Sequence, residues 1–227
     1  MSAIAGLIHL DNTDVQVTDL QKMASALKAH GPDSQKMWSH QELGLIHCLM
    51  RFTPEDYFEQ QPMVDKNRGI AMVFSGRVDN RQELANLLNL GKEQLKTMPD
   101  SQLAQLAFAT WAQQAFSKVL GDWVWAIWQR DKKQLLLVRD PQGYSRSLHY
   151  SLQPQFFAFA SAPKGLMALP QMPREMDQGA LADFLILNHK NLSSTMYEGV
   201  KRLEPGHILT FEPTNRKLTI KGYWQYD

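Results

Sequence analysis

The residue best placed to do chemistry in this sequence is Ser2, which follows Met1 and opens an apolar run. Residues 3–10 are apolar or small except for His9, and the run closes at a turn-prone Asp-Asn pair, so we predict a buried first strand. Such a strand would hold its own terminus rigidly, where most chain ends fray. The side chain of Ser2 could then attack a carbonyl, with the α-amine that removal of Met1 would free acting as base. From this stretch alone, a plain strand with a solvated serine is the simpler interpretation.

The other candidates for chemistry are weaker. The seven histidines show no metal-binding spacing with carboxylates or thiols, so no metal site is predicted. Cys48 follows His47, but neighbours on a strand face opposite sides, which disfavours a nucleophile pair and predicts a buried structural His47. Arg139 and Asp140 are interpreted as a turn ion pair ahead of Gly143.

Length and charge narrow the class of protein. The 227 residues suit one large domain, and 24 Lys plus Arg against 23 Asp plus Glu give no basic surface that would favour nucleic acid. The single cysteine cannot form an internal disulfide and fits a reducing compartment. No apolar run approaches the roughly 20 residues of a membrane helix, and a signal peptide is not recognisable. We therefore expect a soluble, cytoplasmic protein that contacts neither nucleic acid nor membrane.

Helices and strands that would position these residues follow from the apolar periodicity. Thr18 and Asp79 are each expected to cap a helix, and Asp100 or Ser101 is expected to cap a third. Ser75-Gly76 is expected to end the strand that precedes the Asp79 helix. Helices are predicted over residues 17–29, 80–90, 101–114, 163–169 and 177–187, and strands over 44–50, 70–74, 123–128, 135–138, 147–152, 156–161, 206–212 and 217–223. Hairpins flanked by helices indicate an α+β sandwich of stacked antiparallel sheets.

Eight short motifs then appear in order: residues 1–6, 30–33, 61–63, 74–76, 121–128, 139–143, 159–161 and 203–207. Together they resemble the glutamine amidotransferase domain of asparagine synthetase, a class II amidotransferase. The resemblance covers nearly the whole chain and implies a single domain over residues 1–227 with the four-layer αββα fold of N-terminal-nucleophile hydrolases. Residues 53–55 and 78–84 look more like homologues that close lactam or lasso-peptide rings.

The resemblance also implies a site with three departures from the family. The family nucleophile is a cysteine, and Ser2 stands in its place, a weaker unassisted nucleophile. Ser75 replaces the asparagine of the oxyanion hole, leaving the Gly76 N–H, and losing one such donor typically costs about 10²–10³ in rate. Leu49 replaces the arginine that pairs with the substrate carboxylate, although Arg51, two residues on, is a conceivable substitute.

Asp100 matches the family aspartate that holds the substrate α-amino group, and capping a helix is its alternative role. The three departures favour a domain without glutaminase activity that serves as a packing partner of an ATP-dependent synthetase domain in the same or a companion chain. No cofactor is expected in this domain; the resemblance puts ATP and Mg in the synthetase domain, which this sequence lacks. Two alternatives stay open: a Ser2-dependent glutamine hydrolase and a free-standing amino-acid-binding module. A homodimer also stays open.

Overall fold

The computed structural model describes residues 2–188 and 191–225 and shows two six-stranded antiparallel sheets. Met1, whose removal the Ser2 mechanism requires, lies outside the described residues. The strands are β1 Ala3–His9, β2 Ser34–His40, β3 Leu43–Leu49, β4 Met63–Asp65, β5 Ile70–Val78, β6 Gly121–Gln129, β7 Gln134–Arg139, β8 His149–Leu152, β9 Phe156–Ala160, β10 Lys201–Arg202, β11 His207–Glu212 and β12 Lys217–Gly222. The helices are α1 Val17–Leu27, α2 Arg81–Leu87, α3 Lys92–Leu95, α4 Asp100–Trp111, α5 Ala115–Lys118, α6 Pro163–Met167 and α7 Gln178–Leu185.

The first strand lies inside its sheet, as its apolar sequence predicts. The order is β10-β8-β9-β1-β3-β2 in one sheet and β12-β11-β7-β6-β5-β4 in the other. Ala5 of β1 pairs with Ala160 on one side and Ile46 on the other. Neighbouring strands therefore hold both edges of β1, and Ser2 sits at its fixed end.

The fold is a four-layer αββα sandwich, and its apolar side chains form three layers, one at each interface between neighbouring layers of helices or strands. A central layer between the sheets includes Ile4 of β1 and Trp128 of β6. An outer layer packs α1 and α6 on the first sheet, and another packs α2, α4 and α5 on the second around Trp123 and Trp125. The predicted fold class is confirmed.

Strand β5 continues where the sequence predicted that it ends. It runs through Ser75 and Gly76 to Val78, because a glycine at this point lets β6 approach closely. A Cβ on Gly76 would lie 2.3 Å from the Cβ of Trp123 and 2.5 Å from the carbonyl oxygen of Asp122. Gly76 is therefore a packing requirement as well as a candidate donor.

The predicted helix caps Thr18 and Asp79 and the predicted ion pair between Arg139 and Asp140 are wrong. Helix α1 begins after Gln16 and not after Thr18, and Asp79 pairs with Arg77 at 2.7 Å (Oδ1 to Nε) while Asn80 precedes α2.

Arg139 and Asp140 hold the turn through the backbone and form no ion pair with each other. Asp140 accepts the N–H of Gly143 at 2.6 Å, and Arg139 donates to the carbonyls of Gly143, Arg146 and Leu203 at 2.6–2.9 Å. Both side chains are buried, so backbone groups replace water as their partners.

Candidate functional site

Ser2 lies half-buried at the start of β1, where its hydroxyl is bonded to the chain that leaves β3. The Met50 N–H donates to Ser2 Oγ at 3.0 Å, and Ser2 Oγ lies 3.3 Å from the Met50 carbonyl oxygen, to which it donates. These two contacts fix the position of the hydroxyl that the sequence singled out.

The other sheet reaches Ser2 through Ser75 of β5. Ser75 Oγ donates to the Ser2 carbonyl oxygen at 2.7 Å, so the two predicted residues are brought together. In this geometry the Ser75 hydroxyl donates its only hydrogen bond to the protein's own backbone.

Arg146, which the sequence did not indicate, completes this cluster. Its Nη1 donates to the Ser2 carbonyl at 3.1 Å and to Ser75 Oγ at 2.9 Å, and its Nε lies 3.7 Å from Asp122 Oδ2. Burial lowers the pKa of Arg146 and the charge of Asp122 opposes that shift. No local pattern distinguishes Arg146 from any other loop arginine; only the approach of the two sheets identifies it.

The backbone N–H of Gly76 points to the edge of β5 that pairs with β4, at a position past the last residue that β4 covers. Along that edge, Gln61 binds both backbone groups of Phe74, at 2.5 Å to the N–H and 2.9 Å to the carbonyl, and Asp100 Oδ2 accepts the Val78 N–H at 2.9 Å. Alternate residues of a strand direct their N–H groups to the same edge. The Gly76 N–H therefore lies between the Gln61 and Asp100 side chains.

Asp100 is bound within the protein. Besides the Val78 N–H, it accepts a hydrogen bond from Arg81 Nη1, and the same guanidinium donates to the carbonyls of Leu95 at 3.0 Å and Met98 at 2.8 Å. Burial raises the pKa of Asp100, and these partners oppose the rise. The predicted capping role is wrong, because Pro99 occupies the N-cap position of α4.

Ser101 does not cap α4 either. Its hydroxyl donates at 2.7 Å to Oε1 of the mostly buried Glu59, and desolvation raises the pKa of that carboxyl. These groups line a polar cleft of about 520 Å³ between the β2 and β4 edges, beside Gln61.

The structure separates Leu49 from its suggested substitute. Leu49 is buried at the end of β3, whereas Arg51 is exposed on the loop that follows. The backbone N–H of Arg51 donates to Asp33 Oδ2 at 2.8 Å, and its guanidinium carbon lies 5.2 Å from the centre of the Tyr57 ring. Arg51 is thus engaged with Tyr57 on that loop.

His47 and Cys48 face opposite layers, as their strand position predicts. His47 Nε2 lies 3.3 Å from Gln61 Nε2, and burial lowers its pKa to about 3. The Cys48 Sγ contacts the carbonyl of Ala24 at 3.8 Å, and burial raises the pKa of the thiol to about 11. A neutral imidazole and a protonated thiol in separate layers cannot act together.

Two further properties concern the part of the chain that the structure describes. It contains no group of three or more His, Cys, Asp or Glu residues that could hold a metal ion. None of its helices has the length and apolar character that a membrane span requires.

Comparison with known proteins identifies relatives along the whole chain. Residues 1–224 match a family described as "Glutamine amidotransferase domain". The chain is 22% identical to asparagine synthetase [glutamine-hydrolyzing] 3 of Bacillus subtilis (strain 168), covering 100% of this chain and 37% of that protein. It is 26% identical to asparagine synthetase [glutamine-hydrolyzing] 2 of the same organism, covering 99% of this chain and 30% of that protein. The chain thus spans about a third of the length of these curated relatives.

Solved structures agree on the fold. The B. subtilis glutamine phosphoribosylpyrophosphate amidotransferase complexed with ADP and GMP aligns with a TM-score of 0.62 at 13% identity, over 99% of this chain and 50% of that chain. A structure described as the allosteric regulatory enzyme of purine biosynthesis aligns with a TM-score of 0.66 at 13% identity, over 99% and 49%. At that identity the likeness concerns the fold alone. With the family match over residues 1–224, the chain belongs to the class II glutamine amidotransferase domains found in asparagine synthetase-like proteins.

Proposed function

We propose that this domain does not hydrolyse glutamine and serves as the structural partner of an ATP-dependent, amide-forming synthetase domain. The observation that carries the proposal is the hydrogen bond from Ser75 Oγ to the Ser2 carbonyl at 2.7 Å. The family has an asparagine at this position to polarise the substrate. A hydroxyl that donates to the protein's own backbone cannot supply that hydrogen bond.

Two contacts with a glutamine substrate are also lost. Leu49 has no charge to pair with the substrate α-carboxylate, and a bidentate arginine contact is not replaced by an apolar side chain. Asp100, the family partner of the α-ammonium, is occupied by Arg81 and the Val78 N–H. A substrate would have to break a partly buried ion pair to reach this carboxylate. The same occupation argues against a free-standing amino-acid-binding module.

The reaction of the partner domain follows from the family. That domain would use ATP and Mg to activate a carboxylate, and an amine would displace the leaving nucleotide. Because no ammonia would be made at Ser2, the amine would be free ammonia or a group of the substrate itself. Residues 53–55 and 78–84 favour the second option, as in the ring-closing homologues. We place this reaction in the cytoplasm.

The test measures ammonia release from glutamine by the purified chain, with a Ser2→Ala variant as control and intact mass to establish whether Met1 is removed. We expect equal background ammonia from both proteins, whatever the state of Met1. Ammonia release that requires Ser2 would overturn the proposal.

That second result would establish the alternative function, a Ser2-dependent glutamine hydrolase. One observation favours this alternative: the Gly76 N–H faces the β5 edge, where it could donate to a substrate oxygen. A free α-amine with an ordinary pKa of about 7.7–8.0 would then serve as the base for Ser2.

A further inference from the structure

The segment before β10 exposes an unusual set of apolar side chains at the end of helix α7. No residue of α7 is buried. The consecutive residues Phe184, Leu185, Ile186 and Leu187 are 55%, 72%, 72% and 74% exposed, and Leu192 is 52% exposed. We call these five residues the α7 ridge.

The α7 ridge differs from the other exposed apolar residues that the structure describes in having four such side chains in succession. Single exposed apolar side chains are ordinary, whereas contiguous ones mark a surface that another molecule covers. None of the five belongs to the three apolar layers of the sandwich. The layers are complete without them, so folding of this domain gives no reason for four apolar residues in a row.

Hydrogen bonds hold the base of the α7 ridge in place. Asp177 caps the helix by accepting the Ala180 N–H at 2.9 Å, and Asn188 Nδ2 donates to Asp183 Oδ1 at 2.8 Å after the last turn. A β-bridge between Met176 and Tyr197 closes the base of the segment. The ridge is thus presented on a defined support, which lowers the ordering cost of binding.

The C-terminal residues lie within reach of the α7 ridge. The N–H of Arg202 donates to the Ser193 carbonyl at 2.8 Å, next to Leu192 of the ridge. The Tyr223 N–H donates to the Gly206 carbonyl at 2.8 Å. Gly206 is four residues from Arg202, at most roughly 15 Å along the chain. Tyr223 therefore lies within roughly 30 Å of Leu192, a distance that about nine extended residues span, so a polypeptide that follows this domain could reach the α7 ridge.

We propose that the α7 ridge is the surface on which the ATP-dependent synthetase domain docks, an inference that rests on the proposed function. The curated relatives are about three times as long as the part that this chain covers, since it spans 30–37% of them. Residues 184–187 carry no charge, so the docking face of the synthetase domain is apolar as well. It buries the ridge side chains at its centre, with polar groups around them.

The test pairs a ridge variant with a matched control in the intact chain. Leu185→Glu combined with Ile186→Glu places two charges on the ridge. Val17→Glu places one charge on a residue of similar exposure, 54%, in the first turn of α1, where an acidic side chain is tolerated. Circular dichroism and thermal melting establish that all three proteins are folded.

Binding is measured by calorimetry with the purified synthetase polypeptide that is encoded after this domain or beside it. We expect the ridge variant to bind at least about 100-fold more weakly and the control within twofold of the unaltered chain. Ridge binding within threefold of the unaltered chain would overturn the inference, as would the lack of any encoded synthetase polypeptide. If the ridge variant does not fold, hydrogen exchange is measured on the unaltered chain with and without the synthetase polypeptide. We then expect the exchange rate of the α7 backbone amides to fall on binding, and an unchanged rate would overturn the inference.

These outcomes separate the inference from the proposed function. Ser2-dependent ammonia release would overturn the proposed function and leave the docking measurement intact. Tight binding that the ridge variant does not weaken would support a structural partnership and place its interface elsewhere on the domain.

Discussion

Replacing Arg146 with methionine is expected to destabilise the domain by about 2–4 kcal/mol, because a mostly buried charged donor and its hydrogen bonds are lost. The Arg146 side chain is 13% exposed, whereas that of Asp122 is 31% exposed and its carboxylate lies 3.7 Å away, so the ion pair contributes less than a fully buried one. The variant also loses two hydrogen bonds, at 3.1 Å to the Ser2 carbonyl and 2.9 Å to Ser75 Oγ. Methionine fills a similar volume, so a cavity contributes little.

Urea unfolding at pH 7 of the Arg146→Met variant and of the unaltered protein measures this cost. At about 2–4 °C per kcal/mol for a domain of this size, the melting temperature should also fall by roughly 10 °C. The control is a double-mutant cycle with Asp122→Asn: in that background the same Arg146 change should cost at least about 1 kcal/mol less, because no charge is stranded. A cost below about 1 kcal/mol in the unaltered background would refute the assignment of Arg146 as the buried link between the sheets.

Three further predictions concern single positions. Gly76→Ala should cost at least about 2 kcal/mol in urea unfolding, because the new Cβ meets the backbone of Trp123 at 2.5 Å, whereas Gly91→Ala, with its nearest atom at 3.7 Å, should be nearly neutral. Burial lowers the folded pKa of His47 to about 3, below its ordinary 6.5, so the folded state binds fewer protons than the unfolded state between these values, and stability falls as pH drops from 6.5 towards 3. Replacing His47 with glutamine should remove about 2 kcal/mol of this loss at pH 5, measured as unfolding free energy against pH; an unchanged pH dependence would contradict the assignment. Cys48, with a thiol pKa raised to about 11, should react with a thiol reagent at pH 8 only after urea unfolding, and rapid labelling of the folded protein would place it outside the core.

Under the proposed function, the cluster around Ser2 is an inherited site whose contacts are structural. Ser75 Oγ and Arg146 Nη1 both donate to the Ser2 carbonyl, and Arg146 Nη1 also donates to Ser75 Oγ, which links the two sheets. A site of this kind gains stability from contacts that a substrate would otherwise make, since functional sites commonly trade stability for unsatisfied groups. Arg146→Met therefore tests stability, and ammonia release tests chemistry, on the same few atoms.

The pattern of apolar residues along the chain was enough to predict the sandwich and the positions of its central strands. The β6–β7 hairpin and β1 were predicted because their residues are apolar on both faces, which is a local pattern that neighbouring sheets and helices require. Strand β2 was missed because it is an edge strand with a largely polar sequence, and its pairing with β3 is decided by the rest of the sheet.

Which side chains meet at the site could be seen only from the packed fold. The sequence named Ser2, Ser75, Gly76 and Asp100, but it gave no sign that Arg146 reaches the first two from 144 and 71 residues away. Local periodicity reports which face of an element is buried; it carries no record of which charged side chain meets which across two sheets. Those contacts depend on the packed geometry, because a buried charge takes whatever partner the fold brings within hydrogen-bond distance.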